Sequence, residues 1–214
     1  LPPRQRRLVR ALYLAQVDQR TLAAADSLRR LTEDYPDDPS MWNNRAELVL
    51  HDRIPRGWPE IDRAYERAVE LDPGYTAYYS HYVESAFRFH HDSAIVAERV
   101  DAVPNDQWRR IFRLAQDAIY GDSTARQRAI SAYDTVSVPH NWLMWRPLTA
   151  PQDAGVADTV YRRLMKREDM NAADVAPRLF FNDLRRGHID QALADLRQWE
   201  AEPDLAACEQ VWAS

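Results

Sequence analysis

Lysine is almost missing from this chain: Lys166 stands alone among 28 basic residues in 214. The preference for Arg reads as the codon usage of a GC-rich, bacterial genome rather than a demand for guanidinium groups. Glycine is scarce as well, with five scattered residues. Neither GxGxxG nor GxxxxGK[ST] can be built from them, so a glycine-rich phosphate loop is excluded. Kinase signatures, HExxH, CxxC and GxSxG are absent too, and with them the commonest sequence marks of catalysis. Cys208 is the only cysteine, which excludes an internal disulfide, and it reads as a small half-buried hydrophobe. No run of 18 apolar residues occurs, so no segment is expected to insert in a membrane. A net charge of −5 speaks against nucleic acid or an anionic membrane surface as partner.

What is present is 45% hydrophobic and 29% charged residues, a composition of folded protein. Thirteen prolines, with few alternating β-branched runs, predict an all-helical chain punctuated at its turns. The punctuation is periodic. Pro36, Pro73, Pro104 and Pro139 are 37, 31 and 35 residues apart. Large residues opening the following helices, Leu8, Trp42, Tyr79, Trp108 and Trp142, are spaced 34, 37, 29 and 34. Two markers near one period predict an internal repeat and a solenoid. Each period holds two helical patterns. Leu8, Leu12 and Ala15 form one stripe, and Leu22, Ala25, Leu28 and Leu31 the next. "SMWNNRAELVL", with Asp38 as N-cap, and "PEIDRAYERAVEL", opened by Pro59, make the second pair. Further helices are expected over 75–90, 93–102, 106–119, 123–134, 140–148, 154–168, 172–186, 189–201 and 204–213.

The stretch "RAYERAVELDPGY" (63–75) carries the most specific pattern. Ile61, Tyr65 and Ala68 before Pro73 match helix-B positions of the tetratricopeptide repeat, and Trp42 and Ala46 match its opening Trp and small close-packing residue. Ala24 and Leu28, with Leu8, and later Gly187, Ala192 and Leu196, repeat the pattern. The chain therefore resembles the tetratricopeptide-repeat family. The resemblance implies one domain over 1–214, a right-handed α-α superhelix of about five to six helix pairs. Its best repeats fall at 1–73 and 172–203, and degraded ones at 90–170. In such repeats small residues let helices approach and aromatics fill the gaps between them, so these motifs build a surface.

In this family the first helix of each pair lines a concave groove. The ligand-facing positions map to Val9, Tyr13 and Val17, then Asn43, Glu47 and His51, then Ser80, Glu84 and Arg88, then Arg109, Arg113 and Asp117. Arg109, Arg110 and Arg113 could take a carboxylate or an acidic peptide, although such trios are commonly solvated faces with partners one turn away. The subgroup that clamps chaperone C-termini uses Lys and Asn where this chain has Val9 and Tyr13, so that ligand is not implied. The expected function is a non-catalytic protein–protein interaction scaffold for a peptide or partner protein, with no cofactor.

Two alternatives stay open. The overall phrasing resembles repeat regions that follow bacterial serine/threonine kinase domains or belong to signalling regulators, which implies a sensory, ligand-binding role. The ends "LPPR" and "EQVWAS" could instead self-associate into a filament. The chain begins with Leu1, which reads as a piece of a longer or processed protein, in the cytoplasm or outside it. His81, Glu84, His90, His91 and Asp92 crowd one stretch, but histidines near a helix end more often meet its last carbonyls, and no metal site is expected. Trp42, Trp108 and Trp142 read as core, while "NWLMWRP" could form an aromatic patch.

Overall fold

The computed structural model describes residues 1–51, 58–136, 148, 154–170 and 172–200. Among these no strand occurs. The helices are α1 (Pro3–Gln16), α2 (Thr21–Asp34), α3 (Pro39–His51), α4 (Trp58–Leu71), α5 (Tyr79–Ser85), α6 (Ser93–Asp101), α7 (Asp106–Tyr120), α8 (Ser123–Ala132), α9 (Ala154–Leu164), α10 (Ala172–Arg185) and α11 (Ile189–Glu200). A 3₁₀ turn, Thr76–Tyr78, precedes α5, and a π-helical turn, Ala86–His90, follows it. The predicted helix over 75–90 is thus three pieces, and the one over 154–168 stops at Leu164. The expected helices over 140–148 and 204–213, Trp142, Trp145, Trp212 and Cys208 lie outside the described residues.

Two compact units divide the chain, one of Leu1–Ser85 with Val103–Asn105, the other of Ala86–Ala102 with the residues from Asp106 on. In the first unit each helix packs chiefly on its sequence neighbours, α1 on α2, α2 on α3, α3 on α4 and α4 on α5. That nearest-neighbour pattern is how stacked helix pairs bury faces that a single pair leaves open. Asp38 caps α3 as its sequence predicts, accepting from the Ser40 amide at 3.0 Å. Ala24, Leu28, Ala46, Ile61, Tyr65 and Ala68, all repeat-pattern positions, are buried. Leu22 departs from its predicted stripe and is 62% exposed, because the buried face of α2 runs through Ala24, Ala25, Leu28 and Leu31 instead. Trp42 is half-buried. Its indole donates to the Pro36 carbonyl at 2.8 Å, and the Arg45 guanidinium lies 5.6 Å above its ring. Arg45 also pins three helices together, bonding Thr32 of α2 at 2.9 Å and Glu60 of α4 at 2.8 Å.

In the second unit α7 buries Trp108, Ile111, Phe112, Ala115, Ala118 and Ile119, a stripe of helical period. Asp92 and Asp122 cap α6 and α8, accepting from Ala94 and Ala125 amides at 2.8 Å each. Gly121 joins α7 to α8 where a Cβ would come within 2.4 Å of the Asp117 carbonyl oxygen, so only glycine fits unshifted. At the end of α10, Gly187 takes φ +77°, and the His188 amide donates to the Asp183 carbonyl at 2.9 Å. The Gly187 amide donates to Leu184 at 3.0 Å, which completes a Schellman cap. The predicted turn glycine thus ends a helix as its position implies.

Candidate functional site

A close group of polar side chains in the first unit comes from three helices. Glu47 and His51 are four apart on α3 and share a face. Tyr65 comes from α4, and His81 and Glu84, three apart, from α5. His51 Nε2 is 3.3 Å from Glu47 Oε2, and His81 Nε2 is 3.5 Å from the same oxygen. The other oxygen of Glu47, Oε1, accepts from the Tyr65 hydroxyl at 3.1 Å. His81 turns its Nδ1 to Glu84 Oε2 at 3.2 Å. The His51 and His81 rings meet edge to face at 5.0 Å, and Tyr65 stacks parallel on His81 at 5.8 Å.

Exposure grades across this cluster. The His51 side chain is 55% exposed, Glu47 31%, His81 9% and Glu84 8%. The site therefore opens to solvent at His51 and closes at Glu84. Burial pushes the Glu47 carboxyl up, but the His51 hydrogen bond, the charge of His81 and the Tyr65 hydroxyl outweigh it and hold the group below its ordinary value. The His81 ring stands between two carboxylates, with Nδ1 toward Glu84 and Nε2 toward Glu47. One donor atom each from Glu47, His51 and His81 lie within 4.8 Å of one another, a spacing a metal ion could draw together.

The residues expected to face a ligand are placed unevenly. Asn43 is half-buried, and Glu47 and His51 reach the surface as described. Ser80 and Glu84 are buried, at 5% and 6% exposure, and do not line an open face. Both lie in α5 with Tyr79, on a helix whose sides are nearly all covered: Ser80 donates to the Ala77 carbonyl at 3.0 Å and Glu84 turns to His81. The remaining residues belong to the second unit. Arg88 lies in the π turn, 5.3 Å over the Phe89 ring. Arg109 is paired with Asp106, and Arg113 with Asp101 and, at 2.9 Å, Gln116. Those two guanidiniums already hold the chain's own acids, and Arg110 is exposed beside them.

His81 and Glu84, three apart in the sequence stretch that also holds His90, His91 and Asp92, do face each other. What the stretch does not show is that His81 also meets Glu47 and His51 of the preceding helix pair. The signal was present: Glu47 and His81 are 34 residues apart, one repeat length, and equal steps along a repeat bring side chains together across it.

The helix pairs and their nearest-neighbour packing define an all-α helical repeat protein with a tetratricopeptide-like fold. Among solved structures the chain is similar to the crystal structure of PilW, a widely conserved type IV pilus biogenesis factor. That similarity covers 97% of this chain and 99% of PilW with a TM-score of 0.54, at 13% sequence identity, and it bears on the fold. No family model matches the chain, and no curated protein matches it.

Proposed function

We propose that this chain is a non-catalytic interaction scaffold that binds a segment of a partner protein along the first helices of its repeats. The observation that carries this reading is the outer row of α1 and its C-cap residue Val17. Val9, Tyr13 and Val17, four apart, are 53%, 52% and 60% exposed, while Ala11 and Ala15 behind them are buried. A helix that exposes an aromatic between two valines on one side forgoes burial worth roughly 1.5–3 kcal/mol for each large side chain. These are also the positions that tetratricopeptide repeats turn toward their ligands. A partner segment with apolar residues at matching spacing, helical or extended, would bury the row, with Tyr13 as its central anchor. The helical-repeat likeness to PilW supports the fold on which the reading stands. PilW takes part in pilus biogenesis, and a place in an assembly of that kind is one setting in which such a scaffold would serve.

The test is selection of binding peptides from a displayed random library against the whole chain. Peptides that bind wild type should lose tenfold or more in affinity against Tyr13→Ala, and a similar amount against Val9→Ser with Val17→Ser. Equal affinity for all three proteins would remove the α1 row as the binding face. Self-association through the same row is a second reading that its exposure favours. Light scattering that grows with concentration in wild type and not in Tyr13→Ala would establish it, and a strict monomer would end it.

A further inference from the structure

We infer that Glu47, His51 and His81 form a binding site for a divalent transition metal, zinc(II) first, with Glu84 and Tyr65 as its supporting shell. This goes beyond the scaffold reading and rests on different side chains from the α1 row.

Two imidazoles and one carboxylate with a solvent-facing side are a donor set that zinc takes readily, leaving one position for water. With bonds of about 2.0–2.2 Å, tetrahedral donors lie about 3.4 Å from each other. The two separations at Glu47 Oε2, 3.3 Å to His51 and 3.5 Å to His81, are close to that value. All three donors lie within 4.8 Å of one another, and rotation of His51, the most exposed of them, closes the widest gap.

The surrounding groups fit the inference independently. A metal-bound histidine characteristically donates its other ring N–H to a carboxylate, which fixes the tautomer and raises the basicity of the ligating nitrogen. Glu84 Oε2 lies 3.2 Å from His81 Nδ1, leaving Nε2 on the side of Glu47. The Tyr65 hydroxyl holds Glu47 by Oε1 and so presents Oε2 to the two rings. The ligands come from α3 and α5, so the ion would tie one helix pair to the next.

The test is calorimetric titration of chelator-treated protein with zinc(II) alone, followed by cobalt(II) titration, because tetrahedral cobalt absorbs strongly in the visible. Wild type should bind one zinc per chain with a dissociation constant in the micromolar range or tighter, and cobalt should give the tetrahedral spectrum. His51→Ala, at an exposed helix end, should stay folded with at most a small fall in its metal-free melting temperature, and lose both signals. Glu84→Gln should weaken zinc about tenfold to a hundredfold while keeping the one-to-one ratio. No stoichiometric binding at zinc concentrations on the order of 100 µM would overturn the site. Undiminished binding in His51→Ala would overturn it too, assigning the ion to other residues.

Discussion

In the first unit a carboxylate, Glu47, is met by His51 one turn on in its own helix, and by His81 and the Tyr65 hydroxyl from two other helices. In the second unit Asp183 of α10 is fully buried, and its Oδ2 accepts from Arg162 of α9 at 2.9 Å. Arg162 is shared, however, with Asp158 at 3.0 Å and Asp195 at 3.6 Å. Burial pushes the Asp183 carboxyl up, Arg162 opposes it, and Asp158 and Asp195 push it up again. Glu47 is held low and Asp183 high, although both sit among charged groups. The difference lies in what surrounds each. Glu47 has a hydroxyl donor on one oxygen and two imidazoles at the other, whereas Asp183 competes with two other acids for one guanidinium, and its other oxygen has His188 Nδ1 at 3.5 Å but no hydrogen bond among the described residues.

The tyrosines repeat the contrast. Tyr65 and Tyr133 are both fully buried. The hydroxyl of Tyr65 reaches Glu47, while that of Tyr133 has no hydrogen-bond partner among the described residues, and its burial pushes the phenol well up. The first unit places donors where its buried acceptors are. The second buries polar atoms for the sake of the apolar rings and stems that carry them.

The strongest test of this contrast removes the rings altogether. Tyr65→Ala and Tyr133→Ala should each cost about 3–5 kcal/mol in urea unfolding, since both delete a fully buried aromatic. Removing only the hydroxyl should separate them. Tyr65→Phe should destabilise by about 1.5–3 kcal/mol, the range for a hydrogen bond to a charged group. Tyr133→Phe should be neutral or stabilising, because it deletes an unpaired buried oxygen. Equal effects would break the comparison.

The acids separate by pH. A carboxyl whose folded value is raised stays protonated in the folded chain while the unfolded chain, at about 3.9, has lost its proton. Its contribution is therefore unfavourable, absent below the unfolded value and growing as pH rises through the folded one. Asp183→Asn should flatten that fall in stability between acid and neutral pH, read from melting temperatures across the range. A slope unchanged by the substitution would show that Asp183 does not titrate as its surroundings require.

The smallest expected effect is one the two units should share. Gln19 and His91 take φ of 52° and 53°, the left-handed region, one in each unit. That conformation costs a side-chain-bearing residue roughly 1–2 kcal/mol, and glycine gives back about half in chain entropy. Gln19→Gly should stabilise by about 0.5–1 kcal/mol in the same urea assay, and His91→Gly by less, because His91 has an interaction of its own to lose. Equal gains would mean that the His91 side chain contributes nothing besides the turn.

Much of the helix plan was legible because it depends on local features. Pro36, Pro73 and Pro104 each follow the end of a helix, Asp38 caps where it should, and Tyr65 and Ala68 are buried as the repeat pattern requires. The outward positions were less legible. Spacing from Tyr79 places Ser80 and Glu84 on a ligand-facing side, but α5 is covered on nearly every side and buries both. Arg109 and Arg113 looked available from their spacing alone, but Asp106, one turn before, and Asp101, in the preceding helix, engage them. The Glu47–His81 contact joins different helix pairs, and no local pattern records it.

The most direct measurement for the scaffold reading is a titration of a selected peptide followed through backbone amide resonances. The account predicts shifts concentrated at Val9, Tyr13 and Val17 and continuing to Asn43 on the next first helix. Shifts confined to other helices, with the α1 row unmoved, would contradict it.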